Sequence, residues 1–124
     1  MPLNKSLNVI AIDDDPMAIM WLEEVLSNTD VTCNVHSFTN SVKGADALKK
    51  QKPDVLFVDM EMPEMNGLDI MSLPLNLPNV IAMSSNVSYK NDALRLNAKA
   101  FLEKPVDLRL INNLLNQNIE STGL

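Results

Sequence analysis

Three short apolar runs, each closing on an acid or a hydroxyl and separated by stretches of helical period, constrain this chain more than any other feature. Leu7-Asn8-Val9-Ile10-Ala11-Ile12 stops at Asp13-Asp14-Asp15, Asp54-Val55-Leu56-Phe57-Val58 stops at Asp59, and Val80-Ile81-Ala82-Met83 stops at Ser84-Ser85. Runs this short and this continuous read as strands buried on both faces, which is the signature of a parallel sheet. Val31, Cys33 and Val35 alternate with polar residues and predict a half-exposed strand nearer a sheet edge, and Ala100-Phe101-Leu102 is a fifth strand. Between them lie helical patterns. Asp15 is placed to cap a helix that begins at Pro16, where the missing N–H costs nothing, and Ala18, Leu22 and Val25 recur along it as far as Leu26. A second helix runs from Ser41 to Gln51 with Val42, Ala45 and Leu48 inward. Pro74 and Pro78 restrict a third to a short piece between Gly67 and Leu73. A fourth lies around Tyr89 to Leu96. The fifth spans about Leu108 to Ile119, with Leu108, Ile111, Leu114 and Leu115 on one face. Five strands alternating with five helices imply an α/β fold with helices on both faces of one parallel sheet.

Composition narrows the function. The 124 residues are 46% apolar, which is material for one domain with one core. Sixteen acids against ten bases leave a net charge of -6, a poor match for direct nucleic acid binding or for an anionic membrane surface. The single Cys33 excludes an internal disulfide and any multi-cysteine metal site. No apolar run approaches the ~20 residues a membrane span needs, and Met1 to Lys5 leads into no secretory signal. A cytoplasmic setting is expected.

In open parallel sheets ligands bind beyond the carboxyl ends of the strands, and the polar residues of this chain gather there. Asp13 and Asp14 end the first strand, Asp59 the third and Ser84 the fourth, and Lys104 follows the fifth. Taken singly, a strand-terminal Asp is a cap or turn former, Lys104 a solvated cation and Ser84 a turn hydroxyl. The set is more specific than its members. Three carboxylates converging on one crevice repel unless a cation lies among them. Few carboxylates in a shallow site suit Mg2+ better than a Ca2+ cage.

Ile12-Asp13-Asp14-Asp15-Pro16, Asp59-Met60-Glu61-Met62-Pro63-Glu64-Met65-Asn66-Gly67, Ser84 and Lys104-Pro105 together resemble the receiver domain of two-component response regulators, over about residues 7–119. The resemblance implies a flavodoxin-like, doubly wound five-stranded sheet of order 2-1-3-4-5. It implies that Asp59 is the phosphoacceptor, forming an acyl phosphate with a group taken from a sensor histidine kinase or a histidine phosphotransfer protein. It implies Mg2+ held by Asp14 and Asp59, by Asp13 largely through water, and by the backbone carbonyl of Glu61. Lys104 and Ser84 would meet phosphoryl oxygens, Phe101 would turn inward on activation, and the Lys104-Pro105 bond would be cis. Phosphorylation would shift the surface of the fourth helix, fifth strand and fifth helix, where such domains meet partners or form a phosphorylation-dependent homodimer. A phosphoacceptor of this kind is not an enzyme beyond slow self-dephosphorylation.

Two departures stand out. The stretch from Gly67 to Val80 is shorter than the family's, and Ser84 stands where Thr is commoner, losing the methyl that stiffens the rotamer. The alternative of a small aspartyl-phosphate-forming phosphohydrolase would use Asp59 and Glu61, but the Asp13-Asp14 pair before the first helix is not that pattern. A Ca2+ loop at Asp13 to Asp15 lacks the alternate spacing and the glycine. Cys33, His36, Trp21 and the eight methionines read as packing or surface residues. With the chain closing just past the fifth helix, one receiver domain over residues 1–124 and no output domain are expected. That is either a stand-alone receiver or a receiver cut from a longer regulator.

Overall fold

The computed structural model describes residues 6–118. Five parallel strands, β1 (Ser6–Ile12), β2 (Thr32–Phe38), β3 (Val55–Asp59), β4 (Val80–Ser84) and β5 (Ala100–Glu103), form one sheet in the order β2-β1-β3-β4-β5. The central strand β3 is buried from end to end, as its unbroken apolar run requires, and β2 is the edge strand that its alternation implies. That strand continues past Val35 to Phe38, because it pairs with β1 along the whole of β1's length, from Ser6↔Thr32 to Ile12↔Phe38.

Helices α1 (Pro16–Ser27), α2 (Ser41–Lys50), α3 (Gly67–Met71), α4 (Lys90–Arg95) and α5 (Leu108–Asn113) alternate with the strands. A 3-10 turn at Val87–Tyr89 precedes α4, and a wider turn at Leu114–Asn118 continues α5. The two faces of the sheet carry separate cores. Val9, Ala11, Val55, Phe57, Ile81 and Met83 face Ile19, Leu22, Val25 and Leu26 of α1 and Ile111 of α5. Ile10, Ile12, Leu56, Val58 and Ala82 face Leu48 of α2, Ile70 of α3 and Ala93 of α4. The alternation of side chains along each strand divides these sets.

Helix boundaries follow their caps. The Asp15 side chain accepts from the Met17 N–H at 3.0 Å, and α3 begins with a reciprocal Asn66–Asp69 capping box. α3 is held to five residues by the prolines that follow it. Two inward assignments are corrected. Val42 is 40% exposed and Leu108 39%, because Ser41, Gly44, Ala45 and Leu48 form the buried stripe of α2 and Ile111 the buried contact of α5. In α2 the stripe through Ser41, Gly44, Ala45 and Leu48 leaves Val42 outside it, in the first turn. Ala18 is half-buried, and Ile19 takes the inward position beside Leu22. Ile119, the expected end of the last helix, lies outside the described residues.

Candidate functional site

Strand register builds the site. Ile12 pairs with Val58, so Asp13 and Asp59 leave adjacent strands at the same level. Asp59 pairs with Met83 and Ser84 with Glu103, so Ser84 and Lys104 come one step beyond on the next two strands. Asp13 is 1% exposed and Asp59 4%. Lys104 Nζ lies 2.6 Å from Asp13 Oδ2 and 3.0 Å from Asp59 Oδ1, one ammonium bridging two buried carboxylates. The other oxygen of Asp13 accepts from the Asp15 N–H at 3.0 Å, and the Asp13 N–H donates to the Phe38 carbonyl at 3.1 Å, so the acidic turn is fixed from both sides.

Burial is the largest influence on the Asp59 carboxyl. It pushes the pKa up against the hydrogen bond from Lys104, Asp13 and Asp14 add to the rise, and the result is about 6. Burial alone would lower the Lys104 ammonium, but its bonds to Asp13 and Asp59 outweigh burial and leave it raised. The lysine therefore stays charged, and Asp59 changes its charge close to neutral pH.

Asp13, Asp14 and Asp59 each offer one oxygen within 4.8 Å of the others, Asp14 from an exposed position. Three hard oxygen donors at this spacing suit Mg2+. Glu61 is exposed and lines an open hollow with Met60, Met62, Pro63, Asn66 and Tyr89. Ser84 is fully buried, and its hydroxyl oxygen accepts from the Asn86 N–H at 2.9 Å, so in this arrangement it shapes the β4–α4 turn. Phe101 is half-buried and packs with the α4 side of the core, two strands away from Asp59. The Lys104-Pro105 peptide bond is cis.

Two residues with a part in this geometry escape a reading of the sequence by residue type. Gly67 opens α3 hard against the backbone of β3's exit. A Cβ there would lie 2.6 Å from the Asp59 carbonyl oxygen and 2.9 Å from Met60 Cα. Trp21 lines a cleft of about 400 Å³ with Met17, Met83, Pro105 and Val106, and Asp13 and Lys104 also line it. The signal for Trp21 was its place on the helix that leaves the acidic turn, and its contact is long-range: its indole N–H donates to the Val106 carbonyl at 2.8 Å.

The carboxyl edge of this doubly wound sheet gathers an acidic pair, a strand-terminal aspartate and a lysine, which is the arrangement of a receiver domain. The response regulator receiver domain matches residues 9–116, and the chain belongs to that family. It is 30% identical over 121 residues to an uncharacterized response regulatory protein of Vibrio cholerae, an alignment covering 93% of this chain and 51% of that protein. It is 31% identical over 103 residues to the transcriptional regulatory protein BtsR of Escherichia coli, covering 82% of this chain and 43% of BtsR. The chain thus spans about half the length of the curated relatives it matches. Among solved structures, the N-terminal domain of an uncharacterized protein from Wolinella succinogenes shares 29% identity at a TM-score of 0.74, covering 89% of this chain and 92% of that one. The response regulatory domain of mrkE from Klebsiella pneumoniae, at 21% identity and a TM-score of 0.78 over 88% of this chain and 92% of that one, matches the fold. No helix among the described residues is long and apolar enough to cross a membrane.

Proposed function

We propose that Asp59 is the phosphoacceptor of a signalling switch and takes its phosphoryl group from the phosphohistidine of a sensor kinase or phosphotransfer protein. The observation that carries this reading is the Lys104 ammonium held between Asp13 and Asp59 at the carboxyl edge of the sheet. An Asp59 oxygen attacks phosphorus, the bond from phosphorus to the donor's imidazole nitrogen breaks, and its electron pair leaves with the imidazole. Asp59 must be ionised to attack, and its pKa of about 6 leaves it so at neutral pH. Lys104 moves from a carboxylate partner to a phosphoryl oxygen. Asp13, Asp14, Asp59 and the Glu61 carbonyl would hold Mg2+, which when bound neutralises charge on the transferring oxygens.

The switch follows from charge. A phosphoryl group brings roughly -1.5 to -2 at neutral pH to a site already rich in acids. Ser84 exchanges its bond to the Asn86 N–H for a phosphoryl oxygen, and Phe101 turns into the space this opens. The surface of α4, β5 and α5 repacks and meets a partner or a second copy. The change has two states, and phosphate biases it by binding one of them better. In this reading the chain is a cytoplasmic receiver domain that is not an enzyme beyond slow self-dephosphorylation.

With acetyl phosphate and Mg2+, the wild-type protein should gain one phosphoryl group that survives mild acid and is lost in alkali. Asp59→Asn should gain none, and Asp14→Ala should lose Mg2+ affinity. Equal modification of Asp59→Asn would defeat the proposal, and rapid multiple turnover of a phosphomonoester would favour the phosphohydrolase instead.

A further inference from the structure

The ammonium of Lys104 serves two carboxylates, so the placement of the backbone that carries it bears on how well it reaches both. On its N-terminal side that backbone is tied to the sheet, because the Lys104 N–H donates to the Ser84 carbonyl at 3.0 Å. The next residue, Pro105, has no N–H to tie. The next tether is at Val106, whose carbonyl accepts the Trp21 indole N–H at 2.8 Å across 85 residues of sequence. Trp21 stands on α1, and α1 is itself welded to the acidic turn: Asp15 caps its first turn and Asp13 holds the Asp15 N–H. One helix thus has Asp13 just before its N-terminus and a grip on the lysine segment less than two turns later.

We propose that Trp21 is a positioning residue for Lys104. Through the Val106 carbonyl it sets the distance between the lysine ammonium and the acidic pair. The indole suits this task, since half of the side chain is exposed and its one polar atom is spent on a backbone oxygen rather than on solvent. The Ser84 tether belongs to a residue that moves in the switch proposed above. Trp21 itself stands on α1, outside the surface of α4, β5 and α5 that repacks, and it would hold the lysine segment near the acidic turn while the Ser84 hydroxyl shifts.

The rate measurement rests on the reading of Asp59 as phosphoacceptor; the spectroscopic one does not. Trp21→Phe keeps an aromatic ring and loses the donor, and benzothienylalanine at the same position keeps the fused rings and loses only the N–H. Either replacement should slow modification by acetyl phosphate about 3–10-fold, the scale of a small misplacement of a catalytic group. In a Lys104→Ala background Trp21→Phe should change nothing further, because a residue acting through Lys104 has no effect once Lys104 is gone. In amide NMR without any donor, the Lys104 and Val106 signals should move. A wild-type rate in Trp21→Phe, or an equal fold-loss in both backgrounds, overturns the proposal. So do amide changes confined to α1. If the wild-type protein takes no phosphoryl group, the reading of Asp59 fails, and the Lys104 and Val106 signals alone decide the role of Trp21.

Discussion

At the scale of the residue, the site is a balance between burial and one cation. Between the ordinary carboxylate value of 3.8 and about 6, folded Asp59 keeps a proton that the unfolded chain has released. Folding therefore loses stability as pH rises through that window, and above it the charged, buried carboxylate stands as a net cost. Asp59→Asn removes the charge at nearly constant shape. In metal-free protein it should be more stable than wild type by about 1–3 kcal/mol at neutral pH, with the gain shrinking toward pH 4. Denaturant melts across that range would show it, and a less stable variant at neutral pH would contradict the burial argument. Lys104→Met acts in the opposite sense on the same group. With the hydrogen bond and charge of Lys104 gone, the Asp59 pKa should rise beyond its present value, which carbon-detected NMR titration reads directly. Modification by acetyl phosphate should fall by about 10²-fold or more, as when one preorganised donor to a developing charge is removed.

At the scale of the element, α3 and α1 show how short pieces of chain can hold a site. α3 has five residues and almost no helical stability of its own, so its place comes from the capping box and from the contact of Gly67 with the β3 exit. Ala in place of Gly normally stabilises a helix by roughly 0.5–1 kcal/mol. Here the sign should reverse. The added methyl meets the Asp59 carbonyl oxygen and the Met60 backbone, which cannot turn aside, so Gly67→Ala should cost about 1–3 kcal/mol. Gly44→Ala in α2 is the comparison: there the nearest atoms all belong to the buried, β-branched Ile12 side chain, so that substitution should also destabilise, through side-chain rather than backbone crowding. Comparing the two by thermal melting separates backbone crowding from side-chain crowding. The sequence made the shortness of α3 legible through Pro74 and Pro78, and the caps at Asp15 and Asn66 set where α1 and α3 begin. It left the facing of Val42 and Leu108 wrong, because apolar residues alone were taken to mark the inward stripe, whereas in α2 the small residues Ser41 and Gly44 share it with Ala45 and Leu48. The extent of β2 was also hidden, since the pairing partner that carries it to Phe38 lies 26 residues earlier.

At the scale of the whole molecule, the alternation of five strands with five helices and the covering of both sheet faces followed from apolar runs and helical periods, which are local signals, whereas the strand order came only with the resemblance to receiver domains. The convergence of Asp13, Asp59 and Lys104 could also be anticipated, because a parallel sheet brings every strand's carboxyl end to one edge. Contacts that depend on three-dimensional reach were not legible: the indole of Trp21 on the Val106 carbonyl, and Gly67 against Met60. In the proposed switch Ser84 is the hinge between site and surface; its hydroxyl oxygen accepts from the Asn86 N–H in this arrangement. Ser84→Ala should leave modification of Asp59 largely intact while silencing amide shifts from Tyr89 onward when beryllofluoride and Mg2+ are added. Shifts of wild-type size in that variant would place the coupling elsewhere.

The central claim is the identity of the acceptor, and borohydride tests it at the atom concerned. An aspartyl phosphate is an acyl phosphate that borohydride reduces to homoserine, whereas a free carboxylate is untouched. After treatment with acetyl phosphate and Mg2+, then reduction and digestion, peptide mass spectrometry should find homoserine at position 59 and nowhere else, and none when the donor is omitted. Homoserine at position 13 or 14 with Asp59 intact, or no homoserine in protein that has demonstrably taken up phosphate, would contradict the account.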